Sequence, residues 1–128
     1  MEGREEARLN DLFFVCSLIE YVARQTKNER KVIVKAMGHE GITHYLDLAE
    51  VYHCENIDKV TEEIINKYHI AEGSYDNVAK AKDSIPTFWD MGKVLYRLIY
   101  EKAKRENISF VDSLFAVYDS WIMSKIDD

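Results

Sequence analysis

The residues best suited to chemistry are concentrated in one segment, residues 38–55, which reads GHEGITHYLDLAEVYHCE. It holds three of the four histidines and one of the two cysteines of the chain, together with four acidic residues. Imidazole, thiolate and carboxylate groups are the side chains that bind metal ions and supply nucleophiles and general bases. The segment therefore raises two hypotheses, a metal site and a thiol-dependent active site.

The metal hypothesis depends on which of these side chains share a helix face. Apolar residues at helical spacing predict a helix over residues 42–54. His44 and His53 are nine residues apart, a rotation of about 900°, so a continuous helix places them on opposite sides. His39 lies between two glycines, in a predicted turn. The three histidines are therefore not predicted to form one ligand set.

Glu50 and His53 form the only E-x-x-H pair of the sequence. Di-iron carboxylate bundles place such a pair on each of two helices and add glutamates from two further helices. Glu20, on the edge of an apolar stripe, could supply one more carboxylate, which leaves the ligand set incomplete. We therefore predict that the protein has no metal or other cofactor and that His53 donates a hydrogen bond at the core boundary. A metal site at Glu50 and His53 is the alternative.

Cys54 directly follows His53, as a nucleophile beside a base would. Neighbours in a helix are rotated by about 100° from each other, so on a continuous helix the two side chains are predicted to diverge. A thiol–imidazole pair would then require His39, His69 or another distant residue. Cys16, in contrast, falls on an apolar stripe and is predicted to be a small buried hydrophobic residue.

The sequence contains none of the common catalytic motifs. It has no G-x-x-x-x-G-K-S/T, G-x-G-x-x-G, H-E-x-x-H or G-x-S-x-G pattern. This favours a protein without enzymatic activity. The alternative that stays open is a small metal- or thiol-dependent enzyme that uses Glu50, His53 and Cys54.

The composition predicts the architecture that holds these residues. A chain of 128 residues with a single proline and five glycines favours one all-α domain, a compact bundle of five or six helices with short connections and no sheet. We expect residues 1–128 to form a single helical domain, with subregions 1–70 and 85–128 joined by the polar connection 71–84. The charged N-terminus, the lack of a long apolar run and the absence of C-x-x-C spacing favour a cytoplasmic protein with no membrane partner.

Apolar periodicity and helix-cap residues predict the position of each helix. The predicted helices cover approximately residues 5–24, 28–38, 42–54, 56–68, 87–105 and 109–121. Their predicted N-caps are Asn28, Asn56, Thr87 and Ser109. The second helix is predicted to bury the apolar residues Val32, Ile33, Ala36 and Met37.

Charge is unevenly distributed along the chain. The net charge of −6, from 23 acidic and 17 basic residues, disfavours sequence-independent binding to nucleic acids or anionic membranes. Residues 40–76 nevertheless carry a net charge of −7, and residues 77–105 carry +4. Two interpretations remain: solvated or internally paired faces, or a partner of complementary charge.

Aromatic and basic residues alternate along the fifth predicted helix, beside its apolar stripe. They are Trp89, Lys93, Tyr96, Arg97 and Tyr100. This composition is typical of protein interfaces and also of surfaces that stack nucleic-acid bases. It is equally compatible with a central helix that packs on two sides. These five residues are the candidate interaction surface.

Four phrases of the sequence carry a resemblance that covers nearly the whole chain. They are LIEYVARQTKN (18–28), LAEVYHCENIDKV (48–60), IPTFWDMGKVLYRLI (85–99) and VYDSWIMSKIDD (117–128). The chain resembles a family of small uncharacterised helical proteins from Firmicutes, many of them from the gut. Its first half is also similar to a short domain sometimes encoded near ADP-ribosyltransferase-like toxins. The resemblance implies no catalytic residues.

Together these observations predict a non-enzymatic protein-interaction module, such as the partner or antitoxin-like component of a bacterial two-gene system. Its expected partner is another protein or a second copy of itself. The small enzyme described above is the second hypothesis. Nucleic-acid binding through the helix over residues 88–105 is the third.

Overall fold

The computed structural model describes residues 2–75 and 87–120, with side chains from residue 7 onward in the first range. The predicted all-α class is confirmed, since every regular element in these two ranges is a helix. The helices are α1 (Glu2–Thr26), α2 (Arg30–Asp47), α3 (Ala49–Tyr52), α4 (Ile57–Lys67), α5 (Phe88–Glu106) and α6 (Phe110–Tyr118). Most of the predicted connection 71–84, and Trp121 of the last predicted helix, lie outside the described residues. None of the described helices is both long and apolar enough to cross a membrane.

The first helix is the centre of the fold. It is apolar on more than one side and packs against α2, α3, α4 and α5, as expected for a helix surrounded by others. Its buried apolar residues are Leu12, Phe14, Val15, Cys16, Leu18, Ile19, Val22 and Ala23. Cys16 is therefore buried, as predicted.

The most extensive helix contact joins α1 to α5. Phe13 lies beside Tyr96 and Tyr21 lies beside Phe88, so the two helices run antiparallel. Between these contacts Gly92 faces Ser17, and a Cβ atom at Gly92 would overlap the Ser17 hydroxyl. The missing side chain of this glycine is what allows α5 to approach α1 so closely.

The second helix differs from its prediction in its bounds and its buried face. Its backbone leaves helical geometry at Gly38 (φ 69°, ψ 177°), where the helix was predicted to end. After this kink it continues to Asp47 and then breaks at Leu48 (φ −106°, ψ 18°). The prediction of one continuous helix over residues 42–54 is therefore wrong, because α2 and the short α3 divide that segment.

The rotation of α2 is set by a buried ion pair. Arg30 and Glu20 are only 5% and 1% exposed, and the Arg30 guanidinium donates two hydrogen bonds to the Glu20 carboxylate. Arg24 donates a further bond to Glu20 at 3.1 Å. Because Arg30 points inward, its helical neighbours Ile33, Val34 and Met37 are buried with it. The predicted burial of Val32 and Ala36 is wrong, since both are exposed.

Helix caps follow the prediction at three of four positions. The side chains of Asn56, Thr87 and Ser109 each accept a hydrogen bond from a backbone N–H in the first turn of the following helix. The prediction for Asn28 is wrong, because Glu29 occupies the N-cap position of α2. The Asn28 amide instead donates to the carbonyl of Ala71 at 2.9 Å.

Residues 71–75 are fastened to the C-terminal end of α1. Besides the bond from Asn28, the backbone N–H of Gly73 donates to the Thr26 carbonyl at 2.8 Å. The N–H of Tyr75 donates to the Lys27 carbonyl at 2.9 Å. Gly73 leaves room for this contact, since a Cβ atom there would overlap Asn28 and the Lys27 carbonyl.

Candidate functional site

The predicted interaction surface covers the exposed side of α5, at Lys93 and Arg97, and one flank of the helix, where Tyr96 and Tyr100 pack against the core. The buried residues of α5 are Met91, Gly92, Leu95, Ile99 and Ala103. Trp89 is 42% exposed, Lys93 and Arg97 are exposed, and Tyr96 and Tyr100 are half-buried. The capping box of Thr87 and Asp90 fixes the first turn of α5, on which Trp89 stands.

Neighbouring helices hold the aromatic rings of this surface in place. The Phe13 ring of α1 lies 5.7 Å from both Trp89 and Tyr96, measured between centroids. Tyr100 lies 6.1 Å from Phe110 of α6. Tyr96 and Tyr100 therefore pack on a second side of α5, and Trp89 keeps a large exposed area.

Cations and one further apolar residue complete the surface. The Arg97 guanidinium lies 5.9 Å from the centroid of the Tyr96 ring, within cation–π range. Val94 is 45% exposed and was missed by the sequence prediction, because it falls outside the apolar stripe of the helix. We call the six residues Trp89, Lys93, Val94, Tyr96, Arg97 and Tyr100 the α5 outer face.

The opposite charges of the two chain regions are not paired with each other within the described residues. The ion pairs found there join nearby residues in most cases, and none connects Lys93 or Arg97 to a carboxylate. The acidic residues Glu55 and Glu62 are exposed. Internal pairing therefore does not account for the separated charges of this part of the chain.

The histidine–cysteine segment has a different geometry from the predicted one. Because α3 ends at Tyr52, His53 and Cys54 lie in a turn, and the Cys54 sulfur comes within 3.7 Å of His53 Nε2. The prediction that these side chains diverge is therefore wrong. The Cys54 thiol also donates to the Glu50 carbonyl at 3.6 Å. No group of three or more His, Cys, Asp or Glu side chains among the described residues is arranged to hold a metal ion.

His53 is exposed, although it was predicted to lie at the core boundary. Its ring contacts the edge of Phe14, with 6.5 Å between centroids. The break at Leu48 turns α3 relative to α2, so the rotation computed for a continuous helix does not apply to His53.

A hydrogen-bonded cluster that the sequence did not predict joins α2, α3 and α4. Tyr45 and Tyr52 donate hydrogen bonds to the same Glu63 oxygen, at 2.7 and 3.1 Å. His44 Nε2 lies 3.2 Å from the Tyr52 hydroxyl. We call these four residues the Glu63 cluster. Burial and the bond to Glu63 raise the pKa of Tyr45, and the same two causes raise that of Tyr52. Both phenols therefore stay neutral donors, which suits bracing rather than base or nucleophile chemistry.

The chain matches no protein-family model, no curated protein and no solved structure.

Proposed function

We propose that the protein is a non-enzymatic interaction module that binds an acidic surface of a partner protein through the α5 outer face. The observation that carries this proposal is the 42% exposure of Trp89 on the same side of α5 as the exposed Lys93 and Arg97. Tryptophan and arginine are the residues that most often dominate the energy of protein interfaces.

The aromatic rings of the α5 outer face are packed against other rings before any partner binds. The ring of Phe13 packs against Trp89 and Tyr96, and the ring of Phe110 packs against Tyr100. Aromatic side chains fixed in this way lose little conformational entropy on binding. The face therefore suits recognition by a partner of complementary shape.

Charge indicates what the partner presents. The α5 helix contains five basic and three acidic residues, in a chain whose net charge is −6. A basic face attracts an acidic surface of a partner and repels a basic surface. The overall negative charge disfavours nucleic acid, because binding to nucleic acid depends on neutralising many phosphates with basic residues.

The test is a binding titration with a protein captured by the full chain from its native host and then purified. We expect Trp89→Ala and Arg97→Glu each to weaken binding by about tenfold or more, because the first removes the large exposed ring and the second reverses a charge of the face. Binding through Arg97 should also weaken as salt is added. The matched control is Val32→Ala with Lys35→Glu on α2, since Val32 is as exposed as Trp89 at 42%.

Equal loss of binding in the control and the α5 variants would contradict the proposal. Loss of the captured protein after nuclease treatment would also contradict it, and would favour nucleic-acid binding through α5. Circular dichroism melting of each variant separates weakened binding from unfolding.

The thiol-dependent enzyme is a second candidate, favoured by the 3.7 Å approach of Cys54 Sγ to His53 Nε2. A catalytic thiol activated by imidazole is alkylated rapidly at a pH well below the usual thiol pKa of about 8.5. The test is the pH profile of iodoacetamide alkylation at Cys54 in the wild type and in His53→Asn. A profile that is unchanged by this substitution would remove the thiol candidate.

A further inference from the structure

We infer that Leu48 and Val51, at the break between α2 and α3, form a second docking surface, which takes an amphipathic basic helix of a partner protein. This surface is separate from the α5 outer face, since different helices carry the two. The protein thereby has one site for an acidic surface and another for a basic helix.

Two large apolar side chains are exposed next to each other at the start of α3. Leu48 is 40% exposed, and Val51, at 57%, is the most exposed large apolar side chain among the described residues. The backbone N–H of Val51 donates to the Leu48 carbonyl at 3.0 Å, so the two residues belong to one helical turn. Single exposed apolar residues are common on protein surfaces, whereas adjacent ones with a polar border mark binding sites.

Contacts on the other sides of α3 fix the outward direction of Val51. Ala49 is 2% exposed and faces the core. Val51 lies about 200° further round the helix and therefore points away from the core. Tyr52, on one flank, donates a hydrogen bond to Glu63 of α4 at 3.1 Å. The short helix is thus anchored through Ala49 and Tyr52, and Val51 is the residue that it presents.

Acidic side chains border this apolar surface on the side of α1. Asp47 and Glu50 are exposed, and both lie close to Asp11. Burial raises the pKa of Asp11 most, and the carboxylates of Glu50 and Asp47 raise it further, while Arg8 and His53 act in the opposite direction. The Arg8 guanidinium lies 3.6 Å from Asp11 and 3.5 Å from Asp47, so two carboxylates share it. Glu50 extends this acidic border towards Val51.

A further acidic residue borders the surface on the side of α4. Burial and Glu63 raise the pKa of Tyr52 most, and the nearby Glu55 raises it further. In the part of the chain that the structure describes, no ion pair includes Glu50 or Glu55. Carboxylates without a basic partner therefore lie on two sides of the apolar centre. We call Asp47, Leu48, Glu50, Val51 and Glu55 the α3 patch.

Charge determines which partner the α3 patch takes. Its carboxylates repel the phosphates of nucleic acids and of anionic membranes, and they attract lysine and arginine. An amphipathic helix with basic residues on both sides of its apolar stripe has the complementary pattern. The stripe covers Leu48 and Val51, and the basic residues meet Glu50 and Glu55.

The experiment is a titration of a labelled peptide with the full chain, followed by fluorescence anisotropy up to about 1 mM protein. The probe is a synthetic helical peptide with a leucine stripe flanked by lysines. A second probe has glutamate in place of each lysine. We expect the wild type to bind the lysine peptide and not the glutamate peptide.

Two double variants test the two parts of the α3 patch. Leu48→Ser with Val51→Ser removes the apolar centre, and Glu50→Lys with Glu55→Lys reverses the border. Each should raise the dissociation constant of the lysine peptide by about tenfold or more. The Glu50→Lys, Glu55→Lys variant should instead bind the glutamate peptide. Circular dichroism checks the fold of each variant, and Val51→Ser alone replaces the first double variant if that one unfolds.

Matched controls change the same kinds of residue elsewhere on the surface. Val32→Ser with Val94→Ser removes two apolar side chains that are 42% and 45% exposed. Glu40→Lys with Glu101→Lys changes the net charge as much as the border variant does, at exposed positions of α2 and α5. Both controls should bind the lysine peptide like the wild type.

Several results would overturn the inference. They are a lysine peptide that does not bind the wild type, one that binds the controls and the α3 variants equally, and a glutamate peptide that the wild type binds as well as the lysine peptide. Self-association of the chain alone that Leu48→Ser with Val51→Ser abolishes would assign the patch to a second copy and also overturn it. None of these results depends on Trp89 or Arg97, so the proposed function and the α3 patch fail separately.

Discussion

Glu63 accepts hydrogen bonds from two tyrosine hydroxyls that belong to different helices. The Tyr45 side chain is buried, so its hydroxyl has exchanged water for this single carboxylate. A buried hydroxyl that loses its acceptor costs more than the bond itself contributed. Glu63 is therefore a structural residue, although it is exposed and acidic.

We expect Glu63→Ala to lower the free energy of unfolding by about 1–3 kcal/mol, because it leaves the Tyr45 hydroxyl buried without its acceptor. Urea unfolding of the variant measures the loss. The neighbouring Glu62→Ala is the control and should change stability by less than about 0.5 kcal/mol. In the double variant with Tyr45→Phe the loss should be smaller than the sum of the two single losses. Additive losses would show that the bond carries no energy.

The sequence singled out residues 38–55 as the segment rich in histidine, cysteine and acidic side chains, but it did not predict which of these side chains contact each other. The pairing of Tyr45 and Tyr52 with Glu63 depends on how α4 lies against α2, which no local pattern determines. The contact between His53 and Cys54 was missed for a local reason: the helix ends at Tyr52, and helical rotation no longer applies beyond it.

Three helices end in a residue with left-handed backbone geometry that is not a glycine. Lys27, His69 and Asn107 have φ values of 57°, 53° and 53°, in the left-handed region. In each case the next residue donates its N–H to a carbonyl five positions back, at Ala23, Ile65 and Ala103 respectively. Such ends satisfy the last carbonyls of a helix, and glycine is the residue that adopts them without steric cost.

We expect His69→Gly to raise the free energy of unfolding by about 0.5–1 kcal/mol, since it relieves this steric cost and His69 is exposed. Asn107→Gly should give less, because asparagine tolerates the left-handed region better than histidine does. Thermal melts of the two variants beside the wild type test the order. A destabilised His69→Gly variant would show that the imidazole itself contributes to stability.

The contact between α1 and α5 depends on the small size of one residue. We expect Gly92→Ala to destabilise the protein by about 1–3 kcal/mol, because the added methyl group overlaps the Ser17 hydroxyl. Ser17→Ala alone should be nearly neutral, since the Ser17 hydroxyl has no hydrogen-bond partner among the described residues. The double variant should recover part of the loss, as measured by urea unfolding. It should not recover all of it, because the Ser17 Cβ is still 3.1 Å from the added atom.

Features of the helices that depend on neighbouring residues could be predicted from the sequence, and features that depend on contacts between helices could not. The caps at Asn56, Thr87 and Ser109 were predictable because each involves residues within one turn. The buried face of α2 was not, because it is rotated by the pairing of Arg30 with Glu20, ten residues away on another helix. An apolar pattern alone favoured Val32, which is exposed.

At the scale of the whole molecule, a buried thiol and a buried tyrosine hydroxyl make the protein less stable at alkaline pH. Burial raises the pKa of the Cys16 thiol from 9.0 to about 12, and burial raises the pKa of Tyr118 as well. The unfolded chain releases these protons at lower pH than the native protein does. The stabilisation is therefore complete below about pH 9 and is lost as the pH rises towards 12.

We expect the melting temperature to fall steeply above pH 9, the point at which an unfolded thiol begins to ionise. Cys16→Ala should show a shallower fall, since one such group contributes up to about 1.4 kcal/mol per pH unit. The exposed Cys54 provides the control, and Cys54→Ala should keep the wild-type slope. Equal slopes for all three proteins would contradict the assignment to Cys16. The slopes are compared, since Cys16→Ala also leaves a cavity that lowers stability at every pH.

The fold class followed from composition and periodicity, because a chain with one proline, five glycines and regular apolar stripes has few alternatives to a helical bundle. The position of Trp89, Lys93 and Arg97 beside the apolar stripe of one helix was also predictable, since residues on one helix have fixed relative angles, and all three are exposed. What the sequence could not supply was the contact of Tyr21 with the first turns of both α4 and α5, at Asp58 and Phe88.

Because residues 71–75 are hydrogen-bonded to the end of α1, we expect the fold to tolerate a break in the chain within residues 76–86. Tyr75 is bonded to Lys27, and Phe88 packs on Tyr21 less than two turns earlier in α1, so both sides of residues 76–86 are anchored to the same helix end. Joining them by peptide bonds contributes only loop-closure entropy. Two polypeptides divided within residues 76–86 and expressed together should therefore reassemble, and a tag on one should recover both. Recovery of the tagged part alone would show that the link is required.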